Sequence, residues 1–351
     1  MKKINKKKTL ITGITGQDGA YLAKFLLDKG YEVYGGYRRL STPNFWRLQY
    51  LGIFEKIKLI PMDLIDINSI YEAIKISQPD EIYHLGAQSF VGASFDVPQA
   101  TAEITGLATT AFLETIRHIN SKIKFYQAST SELYGDGAYS MLRENSPFRP
   151  SSPYAVAKLY AYWITRVYRE AYGIFAVNGI LFNHESPLRG LEFVTRKISN
   201  AVAKIYLGLE KELVLGNLDA KRDWGYAPEY VESMWLMLQQ PEPDDFVIAT
   251  NETHSVKEFV KEAFKCVSLN FQKYIKTNPR FKRKFEVNFL LGDYSKAKKR
   301  LNWEPKTKFS DLVKIMVNED LNRWKKWQDG ERFAFDAPFY PSEKNIINRS
   351  L

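Results

Sequence analysis

Lys8-Thr9-Leu10-Ile11-Thr12-Gly13-Ile14-Thr15-Gly16-Gln17-Asp18-Gly19 is the stretch that decides the fold. Its first five residues read as a buried strand, and a helical run follows over residues 20–29. Gly13, Gly16 and Gly19 stand between them at Gly-x-x-Gly-x-x-Gly spacing, a variant of the dinucleotide fingerprint. Such glycines allow a tight turn, a close approach of backbone to pyrophosphate, and close packing of helix on strand. The helix N-terminus then presents free N–H groups and the positive end of its dipole to the phosphates. A glycine-rich turn can be purely structural, but its place between strand and helix favours a cofactor site built from Gly13, Thr15, Gly16, Gln17, Asp18 and Gly19.

Outward from this unit, apolar strand-like runs at residues 8–12, 32–37, 58–62, 81–85, 124–128 and 175–181 alternate with helical stretches. That alternation predicts an α/β fold, a doubly wound parallel sheet with helices on both faces. From residue 183 the regular alternation fades into short elements and a few helices, such as those expected at 227–239 and 256–267. The expected division is a Rossmann-like lobe over 1–182, with contributions from later segments, a smaller substrate lobe over 183–327, and a tail over 328–351 with no assigned role. No internal repeat or low-complexity segment interrupts it.

The end of the second strand bears on the cofactor. NAD binders usually place an acidic residue there for the ribose hydroxyls. This chain has Arg38-Arg39 instead. Two guanidinium groups suit the additional phosphate of NADP, so NADP is the expected cofactor. The competing reading is a solvated basic loop.

Two further stretches carry chemistry. Tyr154 precedes Lys158 by four residues on an expected helix, which puts both side chains on one face. A lysine ammonium near a phenol favours the phenolate and lowers a pKa that is ordinarily ~10. Such a tyrosine can take a proton from a sugar hydroxyl while hydride leaves for a nicotinamide. Tyr-x-x-x-Lys alone is a weak signal, because helices are rich in both residues. Thr130-Ser131-Glu132, just after an apolar run, adds a carboxylate that plain alcohol oxidation does not need. A second base points to removal of a proton beside the new carbonyl.

Composition agrees with a soluble, cytoplasmic enzyme. The 351 residues are 45% apolar, and no run approaches the ~20 apolar residues of a membrane helix. The basic start at residues 1–8 does not read as a secretory signal. The single Cys266 excludes an internal disulfide framework and reads as a buried structural thiol. A net charge of +10 could mean nucleic acid or a membrane surface, but the lysines are dispersed and no zinc, helix-turn-helix or RNA-binding motif accompanies them. His84, His118, His184 and His254 are too scattered for a metal motif, so no metal, nucleic-acid or membrane partner is expected.

Over residues 9–324 the sequence resembles the extended short-chain dehydrogenase/reductases, and within them the GDP-mannose 4,6-dehydratase family. The most specific segments are Gly16-Gln17-Asp18-Gly19, Phe125-Tyr126-Gln127-Ala128-Ser129-Thr130-Ser131-Glu132-Leu133-Tyr134-Gly135, Ala157-Lys158-Leu159-Tyr160-Ala161-Tyr162-Trp163-Ile164 and Gly179-Ile180-Leu181-Phe182-Asn183-His184-Glu185-Ser186-Pro187. The resemblance implies further cofactor contacts at Asp63, Leu64, Leu85, Gly86, Ala87, Gln88, Ser89, Lys158, His184 and Arg189. For Asp63, a helix-capping carboxylate is a real competitor. It also implies GDP-sugar contacts at Ser89, Ser131, Glu132, Tyr154, Asn183, Lys197, Arg222, Arg283 and Glu286; a diphosphate calls for arginine forks and a lysine. The implied reaction is dehydration of a GDP-manno sugar to its 4-keto-6-deoxy product, with Thr130, Ser131, Glu132, Tyr154 and Lys158 as catalytic residues. A homo-oligomer is implied too, a tetramer in which the Arg38-Arg39 loop reaches toward a neighbouring subunit's cofactor.

Two departures bear on the sugar. Where the family reads Pro-Arg-Ser-Pro-Tyr, this chain has Pro150-Ser151-Ser152-Pro153-Tyr154, and residues 136–145 lack the usual Gln-Glu-x-Pro. A roomier pocket would suit a seven-carbon homologue, GDP-D-glycero-D-manno-heptose, whereas drift in a loop would leave GDP-mannose as substrate. The tail, with Phe333, Phe335, Phe339 and Tyr340, runs past the family's usual end. A nucleotide-sugar epimerase or reductase would not need Glu132 as a C5 base. A non-catalytic NADP-binding regulator should have lost Tyr154 or Lys158.

Overall fold

Alternating apolar runs and helices build one parallel sheet in a computed structural model that describes residues 6–42, 44–136, 140–278 and 287–331. Six strands lie where alternation predicts them: β1 (Lys8–Thr12), β2 (Glu32–Tyr37), β3 (Lys58–Pro61), β4 (Glu81–His84), β5 (Lys124–Thr130) and β6 (Ala176–Leu181). A seventh, Phe246–Ile248, was not expected. The sheet order runs from Phe246–Ile248 through β6, β5, β4, β1 and β2 to β3, every pair parallel. The chain winds one way from β1 to β3, then starts again at β4 on the other side of β1. The carboxyl ends of β1 and β4 therefore diverge, and ligands of such sheets bind in the crevice this creates.

The glycines at this crevice have distinct steric duties. Gly13 sits at φ +67°, and a Cβ there would lie 2.9 Å from the backbone nitrogen of Gly86, at the end of β4. A Cβ on Gly19 would lie 2.4 Å from the Gly13 carbonyl oxygen, so the helix Gln17–Asp28 can pack against its own turn only with glycine there. That helix begins three residues earlier than its apolar pattern suggests, because Gln17, Asp18 and Gly19 form its first turn.

Later segments return to the sheet lobe. The helix Ala227–Leu238 lays Tyr230, Met234 and Leu238 into the same core as Ile14, Leu22 and Leu26, and Ala297, Leu301 and Trp303 join it. The smaller lobe has its own core, where helices Val194–Tyr206, Val256–Lys265 and Phe309–Gln328 meet around Val202, Phe259 and Met316. Cys266 follows the second of these helices, half-buried, with its thiol donating to the Glu262 carbonyl and held above its ordinary pKa by burial. Among the described residues no helix is long and apolar enough to cross a membrane, and no cluster of His, Cys, Asp and Glu could hold a metal.

Candidate active site

The turn that follows β5 carries the Glu132 carboxylate. The strand ends at Thr130, whose hydroxyl accepts the Glu132 amide at 3.2 Å and caps the single 3-10 turn Ser131–Tyr134. Gly135, at φ +63°, closes this turn so tightly that a Cβ would collide with the Arg149 carbonyl oxygen. Thr130, Ser131 and Glu132 are all buried as a result. The helix Pro153–Tyr172 delivers the other pair. Ser152 caps it by accepting the Ala155 amide at 3.1 Å and Pro153 occupies its first turn, which fixes where Tyr154 and Lys158 emerge.

Burial governs the electrostatics here. The Tyr154 phenol is pushed well above its ordinary pKa, first by burial and then by the Glu132 carboxylate; polar contact with Thr130 and the charge of Arg189 offset only part of this. The expectation that Lys158 lowers that pKa is therefore corrected for the protein as it stands. The Lys158 ammonium lies 5.9 Å from the Tyr154 ring centre and donates to the Ala128 carbonyl at 2.7 Å. Lys158 itself is brought down to about 8 by burial, with Asp18 opposing the change.

Asp18 and His184 join the glycine turn to the segment after β6. His184 Nδ1 donates to the Phe182 carbonyl at 2.7 Å and its Nε2 meets the Asp18 carboxylate at 2.8 Å. Burial disfavours both charges, yet the pairing prevails: the carboxyl is held below its ordinary pKa and the imidazole above its own. Gln17 completes the junction, donating to the His184 carbonyl at 3.1 Å and accepting from the Ser186 hydroxyl at 2.6 Å. Arg189 pairs with Glu185 at 3.2 Å and stacks on Phe193 at 3.5 Å.

The remaining expected residues are spread over the carboxyl ends of the sheet strands and the smaller lobe. Arg38 and Arg39 follow β2 and are exposed. Asp63 follows β3, where its carboxylate accepts the Ile65 amide at 3.2 Å in a local turn, while the helix Ile67–Ser77 that follows is capped by Asp66 rather than by Asp63. Leu64 packs against Gly86, within 2.8 Å of where a Cβ would stand. Leu85, Gly86, Ala87, Gln88 and Ser89 follow β4, and Gln88 donates its amide to Thr105. Asn183 opens a short strand paired with Trp224–Tyr226. Lys197 lies in the first turns of Val194–Tyr206, where burial lowers its pKa and Glu210 opposes the change. Arg222 is buried and donates to the Lys221 carbonyl. Arg283 and Glu286 lie outside the described residues.

These residues fit a bound dinucleotide. No side chain caps the helix that starts at Gly16, which leaves its first-turn amides facing the crevice. Gln88 Oε1, Ser129 Oγ and Asn183 Oδ1 are buried polar atoms without a hydrogen-bond partner among the described residues, and all three lie at or beyond the carboxyl ends of strands. Buried polar atoms in folded proteins almost always find partners, so three along one crevice mark a ligand site.

Several buried polar residues near these segments were not singled out from the sequence. The Thr12 hydroxyl accepts the amides of Leu85 and Gly86 at 3.0 and 2.9 Å, which leaves its proton for His84 Nδ1 at 2.9 Å. Burial, with the charge of Lys158 adding to it, lowers His84 to about 3 and keeps it neutral. Asp223, beside Arg222, is a buried carboxyl raised to about 7 by burial, even though Thr250 and Gly292 donate to it. Its place in an Arg-Asp-Trp run was the only available hint.

Comparison with known proteins agrees with this geometry. The family model described as GDP-mannose 4,6 dehydratase matches residues 10–316. The chain is 51% identical over 338 residues to the human GDP-mannose 4,6 dehydratase, covering 89% of this chain and 91% of that protein. It is 48% identical over 354 residues to the GDP-mannose 4,6-dehydratase of Vibrio cholerae, covering 91% and 95%. A dTDP-glucose 4,6-dehydratase from Bacillus anthracis solved with NAD shares the fold, with a TM-score of 0.79 at 19% identity over 92% of this chain and 99% of that one. With the catalytic turn, the tyrosine–lysine helix and the glycine turn all in one crevice, the chain belongs to the GDP-mannose 4,6-dehydratase family of hydro-lyases.

Proposed function

We propose that the protein is an NADP-dependent 4,6-dehydratase of a GDP-manno-configured sugar. The observation that carries this reading is the burial of Glu132 within electrostatic reach of the Tyr154 phenol, two groups able to work on neighbouring carbons. Tyr154 takes the proton of the C4 hydroxyl, with Thr130 orienting the reacting oxygen and Ser131 assisting. Glu132 removes the C5 proton, which the C4 ketone has acidified, and delivers a proton to the C6 hydroxyl as it leaves as water. Tyr154 then returns its proton to C5. Bound by the glycine turn, the Arg38-Arg39 loop and Arg189, NADP would supply the hydride acceptor and donor that the exchange between C4 and C6 needs. Lys158 holds the Ala128 carbonyl and keeps a cation behind the phenol.

Arg38 and Arg39 support NADP over NAD, since both are exposed at the end of β2 and no acidic residue stands there. Arg222 and Lys197 supply charge for the diphosphate. For the sugar, we favour the seven-carbon GDP-manno-heptose. Ser151 is half-buried immediately before the cap of the catalytic helix, where a long basic side chain would fill space near C6. The relatives named for GDP-mannose support the six-carbon sugar as the competing reading.

An assembly of identical subunits is part of the proposal. Val156, Tyr160, Trp163 and Val167 form an exposed apolar stripe on Pro153–Tyr172, on the face opposite the catalytic pair, and exposed Leu107 lies nearby in sequence to Thr110, which bonds Tyr160. Such a stripe is costly in water and suits a second copy of the same helix. A monomeric mass by light scattering at micromolar protein would overturn it; a tetramer is the expected result.

Lys158→Met should abolish turnover and raise stability at pH 7 by about 1–2 kcal/mol, because it removes a buried ammonium at the loss of one hydrogen bond. The sign follows from the depressed pKa. Between about 8 and the unfolded value of 10.5 the folded lysine has lost its proton while the unfolded chain keeps it, so wild-type stability rises over that range. The variant's advantage should therefore be full below about 8 and narrow above it. Urea denaturation at pH 7 and pH 10 checks this; a destabilised variant at pH 7 would show that the ammonium is a net structural asset.

Glu132→Gln should reduce dehydration by about 100-fold or more while folding and NADP binding persist. Mass analysis of the GDP-sugar product reads this, and normal loss of water would remove Glu132 from its role. Incubation with GDP-mannose and with GDP-manno-heptose decides the sugar. Ser151→Arg should lower the kcat/KM ratio of heptose to mannose by about 10-fold. An unchanged ratio would make GDP-mannose the assigned substrate.

A further inference from the structure

Three segments that contact the proposed cofactor come together at one side chain outside the catalytic set. Arg47 lies in the short helix Trp46–Tyr50, in the same β2–β3 connection that carries Arg38 and Arg39. Its Nε donates to the Leu188 carbonyl at 2.7 Å, and its Nη1 donates to the Thr15 carbonyl at 3.0 Å. Thr15 belongs to the glycine turn. Leu188 precedes Arg189 in the segment that crosses from β6 into the smaller lobe. One planar guanidinium thus joins two backbones, those of the glycine turn and of the segment beyond β6, while its own chain roots the Arg38-Arg39 loop. Trp46 stacks on the guanidinium at 4.3 Å and fixes its plane.

The surroundings show why the second anchor matters. Three successive carbonyls, of Pro187, Leu188 and Arg189, all accept from arginines. Arg196 and Arg323 hold Pro187 at 2.9 and 2.8 Å, and Arg196 holds Arg189 at 3.0 Å. Those two arginines pair with buried Asp320 and belong to the smaller lobe. Arg47 is the arginine that ties this same run to the sheet lobe. The Gln17–Ser186 and Asp18–His184 contacts join the lobes at the nicotinamide side, and Arg47 joins them behind the turn.

We propose that Arg47 is a positioning residue that sets the spacing between the glycine turn, the Arg38-Arg39 loop and Arg189, and thereby governs how long the cofactor is retained. The inference rests on the functional reading above, in which the cofactor is reduced and reoxidised within each turnover and must stay bound throughout. A lysine at this position could satisfy one carbonyl but not both, since an ammonium on a single stem is a point charge and lacks the fork.

The test uses the full chain as wild type, Arg47→Met and Arg47→Lys, each loaded with NADPH, with release followed by fluorescence after mixing with excess NADP. Release should speed up by about 10-fold or more in Arg47→Met and by less in Arg47→Lys, because most affinity changes appear in dissociation. At saturating added NADP, turnover of the GDP-sugar should return to within about threefold of wild type. Unchanged release with only a lower melting temperature would reduce Arg47 to a structural role and overturn the proposal. So would turnover that saturating NADP fails to restore. If Arg47→Met does not fold, the Arg47→Lys comparison decides alone. Wild-type protein that retains neither NADPH nor NADH would refute the functional reading instead, and the two failures are thereby distinguished.

Discussion

The closeness of two turns at the point where the sheet reverses its winding controls the rest of the site. β1 and β4 end side by side, and the Thr12 hydroxyl gathers the first two amides beyond β4 while giving its own proton to His84. Gly13 and Gly86 then approach to a distance that no side chain could share. Because that contact is tight, Leu64 can close over Gly86 from the β3 side, and the crevice floor is backbone rather than side chain. Phosphate recognition by N–H groups needs such a floor. The neutral His84 underneath, stacked near Phe112 and Phe125, keeps the wall firm without adding a charge beside Lys158.

Over that floor the protein buries more ionisable groups than stability alone would select. Lys158, Tyr154, Asp18 and His184 share one enclosed region, and burial penalises the charged form of each. The Asp18–His184 pair is compensated by a direct contact and by the Phe182 carbonyl. Lys158, lowered to about 8, and Tyr154, raised by burial, are left with protonation states that a neighbouring charge can tip, the balance that the proposed acid–base chemistry requires. Catalytic competence and stability therefore pull in opposite directions at Lys158.

Much of this was legible in the sequence because the decisive signals are local. Strand followed by glycine turn followed by helix is a contiguous pattern, and so is Tyr154 with Lys158 one turn further on. Burial is not local. The sequence placed a lysine near a phenol and implied a lowered pKa, but the sign depends on how much of the phenol is enclosed and on Glu132 from the turn after β5. The Phe246–Ile248 strand escaped notice because three buried residues carry no measurable period. Arg47 escaped for a different reason: its partners are main-chain carbonyls of residues 32 and 141 positions away, and a carbonyl leaves no trace in residue identity.

The return of the chain to the sheet has a consequence for how the protein is made. β6 has its outer edge covered by Phe246–Ile248, whose residues lie 65 or more positions beyond the end of β6. During synthesis the growing sheet must therefore wait with an unpaired edge on a wholly buried strand at its rim while residues 182–245, with the first helix of the smaller lobe, emerge from the ribosome. At ~5–20 residues per second that interval is several seconds, long compared with hydrophobic collapse. An open parallel edge in a half-finished chain is a template for pairing with another nascent chain. The nascent protein is thus most exposed to misassembly before its third hundred of residues is complete, and a chaperone that shields that rim would act on this intermediate rather than on the finished enzyme.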